Sequence, residues 1–171
     1  MKRLFWNTLT MLCATLSMHA MAVLEEPSGN VILAVSGNIE HFNSPQQAQF
    51  DFAMLKQLPA YEITTQTPWE EGVHHYVGFD PSDLLEQLEA DGNVIRLTAF
   101  NQYITEVPLT DFEELGAIIA YQMDGADIPV RNKGPLMVIY DFDQYPELRN
   151  ETYYGRSIWQ IQSMHVLTLG E

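Results

Sequence analysis

The stretch Val94-Ile95-Arg96-Leu97-Thr98-Ala99-Phe100-Asn101-Gln102-Tyr103-Ile104-Thr105-Glu106-Val107 reads as two strands that turn on Asn101-Gln102. Its two halves are rich in β-branched and aromatic residues, and a short polar pair separates them. Directly after it, Thr110 followed by Glu113 has the spacing of a capping box, which predicts a short helix ending near Gly116. A hairpin running into a short helix, then into the apolar run Ala117–Met123 with its Asp124-Gly125 turn, predicts strands interleaved with short helices. That alternation predicts an α+β fold: a single mixed-sheet domain with short helices.

The flanks repeat the pattern. Val31–Val35 is a strand closed by Ser36-Gly37-Asn38, and Tyr61–Thr67 alternates β-formers. Ser44-Pro45 predicts a helix start, because proline is tolerated at the first helical position. Phe52–Leu58 reads as a helix stopped by Pro59, and Asp80-Pro81-Ser82-Asp83 starts another that carries Leu84, Leu85 and Leu88 and stops at Gly92. Leu136–Tyr140 is a buried-looking strand, and Ser157–Leu167 is extended.

The first residues carry a different message. Met1-Lys2-Arg3 opens with two charges, Leu4–Met18 is apolar apart from small polar residues, and Ala20-Met21-Ala22 is a small-x-small site. This is the secretory pattern, so residues 1–22 are expected to be a signal peptide and residues 23–171 the domain, delivered to the periplasm. The apolar run is short of the ~20 residues a bilayer span needs, so no insertion in the membrane is expected after processing. Cys13, the only cysteine, leaves with the peptide, which removes disulfides, thiolate nucleophiles and thiolate metal ligands from the domain. The net charge of −15 becomes −17 once Lys2 and Arg3 are gone. So acidic a surface repels phosphate backbones, so nucleic acid is not an expected partner.

The chemistry-bearing residues fall in a few places. There is no G-x-S-x-G elbow. The only histidine pair, His74-His75, would point to opposite faces of a strand and so would not hold one metal. The richest segment is Thr64-Thr65-Gln66-Thr67-Pro68-Trp69-Glu70, where hydroxyls, an indole and a carboxylate follow a strand. A strand end leading into a loop suits a ligand site, and this set suits a planar polar heterocycle. The same residues fit a core tryptophan followed by a polar turn equally well. The second segment, Tyr153-Tyr154-Gly155-Arg156-Ser157-Ile158-Trp159, mixes aromatics with a guanidinium and reads either as a site or as an edge strand.

Taken in order, these segments resemble the molybdopterin-binding domain of the sulfite oxidase family over about Val31–Val166. The markers are Val35-Ser36-Gly37, Thr64–Trp69, Val77-Gly78-Phe79, Asn101-Gln102-Tyr103, Val107-Pro108-Leu109, Asp124-Gly125, Ile128-Pro129, Asn132-Lys133-Gly134-Pro135 and Tyr154–Ile158. The resemblance implies that fold, and it departs from the enzymes at two points. Gln66, flanked by Thr65 and Thr67, stands where the enzymes place the thiolate that binds molybdenum, a soft ligand these residues do not supply. Met137 stands where they carry an arginine for the cofactor's phosphate.

Asn132, Arg156 and Ser157 match pterin-contacting positions of the family, and Asn101 and Tyr154 lie in its marker segments. With Thr65, Thr67, Trp69 and Glu70 they form the candidate ligand site. A subgroup of this fold, the periplasmic PruR-like pterin-binding proteins, carries a similar T-T-x-T-P-W segment. The resemblance implies a non-enzymatic regulator. It would hold a reduced pterin without molybdenum and dock on the periplasmic region of a membrane-bound diguanylate cyclase or phosphodiesterase, an enzyme of cyclic di-GMP. The competing expectations are a molybdopterin-dependent oxidoreductase with an atypical metal ligand, and a domain whose pocket has decayed.

Overall fold

A computed structural model describes residues 24–170; the expected signal peptide and Cys13 lie outside these residues. The chain runs β1 (Leu33–Gly37), β2 (Ala48–Phe50), α1 (Phe52–Leu55), β3 (Tyr61–Gln66), β4 (Val73–Phe79), α2 (Pro81–Gln87) and β5 (Val94–Ala99). It continues with β6 (Ile104–Pro108), α3 (Thr110–Glu113), β7 (Ile118–Met123), β8 (Ala126–Asp127), β9 (Met137–Ile139), α4 (Glu151–Arg156) and β10 (Ile161–Leu167). Single 3-10 turns lie at Val130–Asn132 and Pro146–Leu148. No helix of the described residues is long and apolar enough to cross a membrane.

The expected hairpin forms, with Ile95 opposite Val107 and Leu97 opposite Thr105. It is the edge of a sheet ordered β2-β1-β10-β5-β6, mixed because β1 and β10 run parallel. A second sheet is ordered β3-β4-β7-β8, with β9 also paired to β7. The α+β class with short helices is therefore as the sequence predicts, built as two sheets. β7 is buried on both faces. Ile119 and Tyr121 join the main core with Leu33, Val35, Ile95, Leu97, Met164 and Val166. Ile118 and Ala120 join a smaller cluster with Ile63, Tyr76, Met137 and Ile139. Two-sided burial of Ile118–Tyr121 is why this part of the strand reads as an apolar run rather than an alternating one.

α2 starts as read: Asp80 accepts a hydrogen bond from the Ser82 backbone N–H at 2.8 Å, with Pro81 in the first turn. Three local expectations need correction. Ser44-Pro45 starts no helix; Ser44 pairs with Gln47 across a tight turn in which Gln46 takes φ 59°. The capping box is not formed either, since α3 starts from Leu109 with no side-chain cap. Tyr153–Arg156 is helical rather than an edge strand. Asn150 caps α4 by accepting from the Thr152 N–H at 3.0 Å, and the helix ends at Ser157.

The two sheets meet at the segment leading into β10. Val138 donates to the Ile158 carbonyl and Ile161 to that of Leu136, stitching β9 to residues 158–161. Phe100, at the tip of the β5–β6 hairpin, donates to the Gln160 carbonyl. Three parts of the chain thus converge on Ile158–Ile161: the hairpin tip, the end of α4 and the β9 edge.

Candidate functional site

A cleft of about 200 Å³ opens at this convergence. Ala99 and Ile158 lie at its base, and Asn101, Tyr103, Tyr154 and Trp159 line it with Gly155 and Ser157. Its shape follows from local bonds. The Tyr103 hydroxyl donates to the Gly155 carbonyl at 3.1 Å, tying the hairpin to the last turn of α4. The Ser157 hydroxyl donates to the Tyr153 carbonyl at 2.8 Å and closes that turn. Asn101 Oδ1 accepts from the Tyr103 N–H at 3.0 Å, which leaves the Asn101 amide N–H groups without a protein partner among the described residues. No lining residue is charged, in a protein with a strong excess of carboxylates.

Trp69 stands behind this cleft. Its indole meets Tyr154 edge-on at 6.4 Å between ring centroids and Trp159 at 6.0 Å, and packs against Phe142 at 6.0 Å. It is partly buried against both core clusters, and its Nε1 is buried without a hydrogen-bond partner. Glu70 is paired with Lys133, whose carbonyl accepts from the Gln160 N–H beside Trp159. Both readings of Trp69 thus meet in one residue: it is packed into the core, and it buttresses two aromatic walls of the cleft.

The remaining candidates are spread around this centre. Thr65 is buried and accepts from the Asp143 N–H at 3.2 Å. Asp143 in turn accepts from the Gln66 N–H at 2.9 Å, anchoring the end of β3. The Thr67 and Tyr76 hydroxyls are buried with no partner of good geometry. Burial raises the Tyr76 phenol above its usual pKa, with the neighbouring Thr67 hydroxyl opposing the shift. Asn132 lies exposed on the 3-10 turn, outside the lining of the cleft. The structure thus brings Asn101, Tyr154 and Ser157 to the cleft, places Trp69 behind its Tyr154 and Trp159 walls, and leaves Thr65, Thr67, Glu70, Asn132 and Arg156 out of the lining.

Arg156 is committed elsewhere. Its guanidinium donates to both carboxylate oxygens of Asp111, at 2.9 and 3.2 Å, and lies over the Tyr153 ring at 5.4 Å. Asp111 is buried and also accepts from the Tyr140 hydroxyl at 2.6 Å. Burial, then this bond to a carboxylate, pushes the Tyr140 phenol far above its usual range, so Tyr140 stays protonated and donates to Asp111. The three residues pin α4 to α3 and β9, and α4 carries one wall of the cleft. Sequence reasoning missed Tyr103, Trp159 and Asp111. The first two lie inside segments already singled out, whereas Asp111 sits where a capping box was read.

No group of three or more His, Cys, Asp or Glu residues that could hold a metal ion occurs among the described residues. At the end of β3 the side chains on offer are the hydroxyls of Thr65 and Thr67 and the amide of Gln66. Thr65 is already bonded to Asp143. This hard, neutral donor set does not fit a molybdenum centre that takes a protein thiolate. Met137, at the expected phosphate-ligand position, is buried in β9 and offers no cation.

No family model matches the sequence, and no curated protein matches it. Among solved structures, the chain is similar to the sulfane dehydrogenase SoxCD from Paracoccus pantotrophus, with a TM-score of 0.60 at 14% identity. The likeness covers 80% of this chain and 38% of that one, so the chain spans well under half the length of this neighbour. At that identity the shared property is the fold, which is of the sulfite oxidase type.

Proposed function

We propose that this protein binds a reduced pterin without metal in the Asn101–Tyr154–Trp159 cleft and acts as a ligand-dependent regulator rather than an enzyme. The observation that carries the reading is the cleft: it is uncharged, walled by Tyr103, Tyr154 and Trp159, and small enough for one bicyclic ring. Aromatic faces stack on planar heterocycles, and the uncommitted amide N–H groups of Asn101 supply hydrogen bonds to a ring edge. The donor set at the end of β3 supports a metal-free ligand.

Two further parts of the proposal rest on the resemblance to the periplasmic pterin-binding subgroup and on the secretory pattern of residues 1–22. They are residence in the periplasm, and docking on the periplasmic region of a membrane enzyme that makes or degrades cyclic di-GMP. In this reading pterin occupancy sets the docking state, and the enzyme's cytoplasmic output follows.

The test is a titration of the purified protein with tetrahydrobiopterin under anaerobic conditions, followed by tryptophan fluorescence. Saturable one-to-one quenching that weakens about tenfold or more in Trp159→Ala, the worth of one stacked ring, is the expected result. The absence of saturable binding removes the pterin reading.

A further inference from the structure

We propose that His74 is a doubly donating imidazolium clamp, which fastens the turn after Trp69 to the β7–β8 turn and releases it when the ring loses a proton. The geometry is specific. His74 Nδ1 lies 2.7 Å from Asp124 Oδ2, and Nε2 lies 2.9 Å from the Glu71 carbonyl oxygen. A carboxylate and a carbonyl only accept hydrogen bonds. A neutral imidazole has a single N–H, so both contacts are hydrogen bonds only in the charged ring.

The surroundings favour that charge. Asp124 is held in place by a second bond, from the His75 backbone N–H at 3.0 Å. The Glu70 carboxylate, on the same turn, adds attraction. The His75 side chain faces away to Glu62 on β3, at 3.1 Å. Thr65, uncharged, is the cross-strand neighbour, and the Tyr76 ring stands 6.3 Å off. The bond to Asp124 raises the His74 pKa above its ordinary 6.5, and partial burial opposes the shift. Reciprocally, the bond to His74 lowers Asp124.

When the ring becomes neutral, its one proton stays with the better acceptor, the carboxylate, and the bond to Glu71 is lost. A raised pKa in the folded protein means that the clamp is fully present below pH 6.5 and fails as pH climbs through the raised value. The segment released is Pro68–Gly72, which carries Trp69 behind the cleft and Glu70 on Lys133. Any effect on pterin affinity rests on the binding reading above; the clamp itself does not.

The experiment is imidazole-nitrogen and Glu71 carbonyl-carbon NMR of the full chain from pH 5 to 9. The clamp requires both His74 ring nitrogens protonated at pH 6 and a titration above 6.5. It also requires the Glu71 carbonyl-carbon shift to move upfield across that same titration, because a carbonyl that loses its donor is less polarised. His75→Gln keeps this inflection and His74→Gln abolishes it. A single N–H on His74 at pH 6, or a Glu71 carbonyl shift without an inflection at its titration, overturns the proposal. The wild-type spectrum decides even if a variant fails to fold.

Discussion

Replacing Arg156 by alanine separates a binding role from a structural one. Among the described residues its guanidinium is the only cation paired with Asp111, whose side chain is 6% exposed, while that of Arg156 is 24% exposed. Removing one partner of a buried ion pair leaves the other charge uncompensated and costs about 3–5 kcal/mol. Tyr140 keeps one short bond to the same carboxylate, and the arginine is partly solvated, so the lower end, about 3 kcal/mol, applies here. In a domain of this size that is a fall in Tm of roughly 6–12 °C.

The assay is urea unfolding of the ligand-free protein at pH 7, run alongside Arg156→Ala/Asp111→Asn. The second change removes the stranded charge, so the double variant should recover at least half of the loss. A loss below about 1 kcal/mol, the scale of an exposed pair, would refute the reasoning. So would a double variant no more stable than the single one. An Arg156 that contacted a ligand in the cleft rather than Asp111 would give only that small loss.

Three other outcomes follow from the same geometry. Trp159→Ala should cost under about 1 kcal/mol of stability, since the side chain is 38% exposed, but Trp69→Ala about 3 kcal/mol because it is packed into both clusters; thermal unfolding of the two ligand-free variants checks the order. Tyr140→Phe should destabilise by about 1.5–3 kcal/mol through the lost bond to a buried carboxylate, measured by the shift in urea midpoint at unchanged m-value. Docking of the acidic protein on a basic partner surface should weaken steadily from low to high salt, and a dissociation constant indifferent to ionic strength would replace charge with apolar contact as its basis.

The sequence was legible where local chemistry decides the structure. The β5–β6 hairpin follows from its alternation, α2 from Asp80-Pro81, and β7 from its apolar run. It was misleading where a tertiary partner claimed the residues that make a local signal. Thr110 and Glu113 have capping-box spacing, but Asp111 between them is drawn into the interior by Tyr140 and Arg156, which lie 29 and 45 residues away. Nothing in the local sequence announces partners at that distance. Tyr153–Trp159 reads either as a site or as an edge strand, and the structure makes Tyr153–Arg156 helical from an Asn150 cap that the sequence reading did not use. The 64–70 and 153–159 segments, singled out by their side-chain chemistry, lie together in the structure, with Trp69 against Tyr154 and Trp159. Which side chains face the cleft was decided by the turn of α4 and by the bond from Tyr103 to Gly155, neither of which has a sequence signature.

The most direct test of the central claim is small-molecule mass spectrometry, with elemental analysis, on the protein isolated under non-denaturing conditions from its native compartment. The account predicts a reduced pterin near one per chain, no molybdenum, and loss of the pterin in Trp159→Ala. Stoichiometric molybdenum with a dithiolene cofactor would contradict it and restore the oxidoreductase reading. Retention of the pterin at full occupancy in Trp159→Ala would place the ligand outside the cleft.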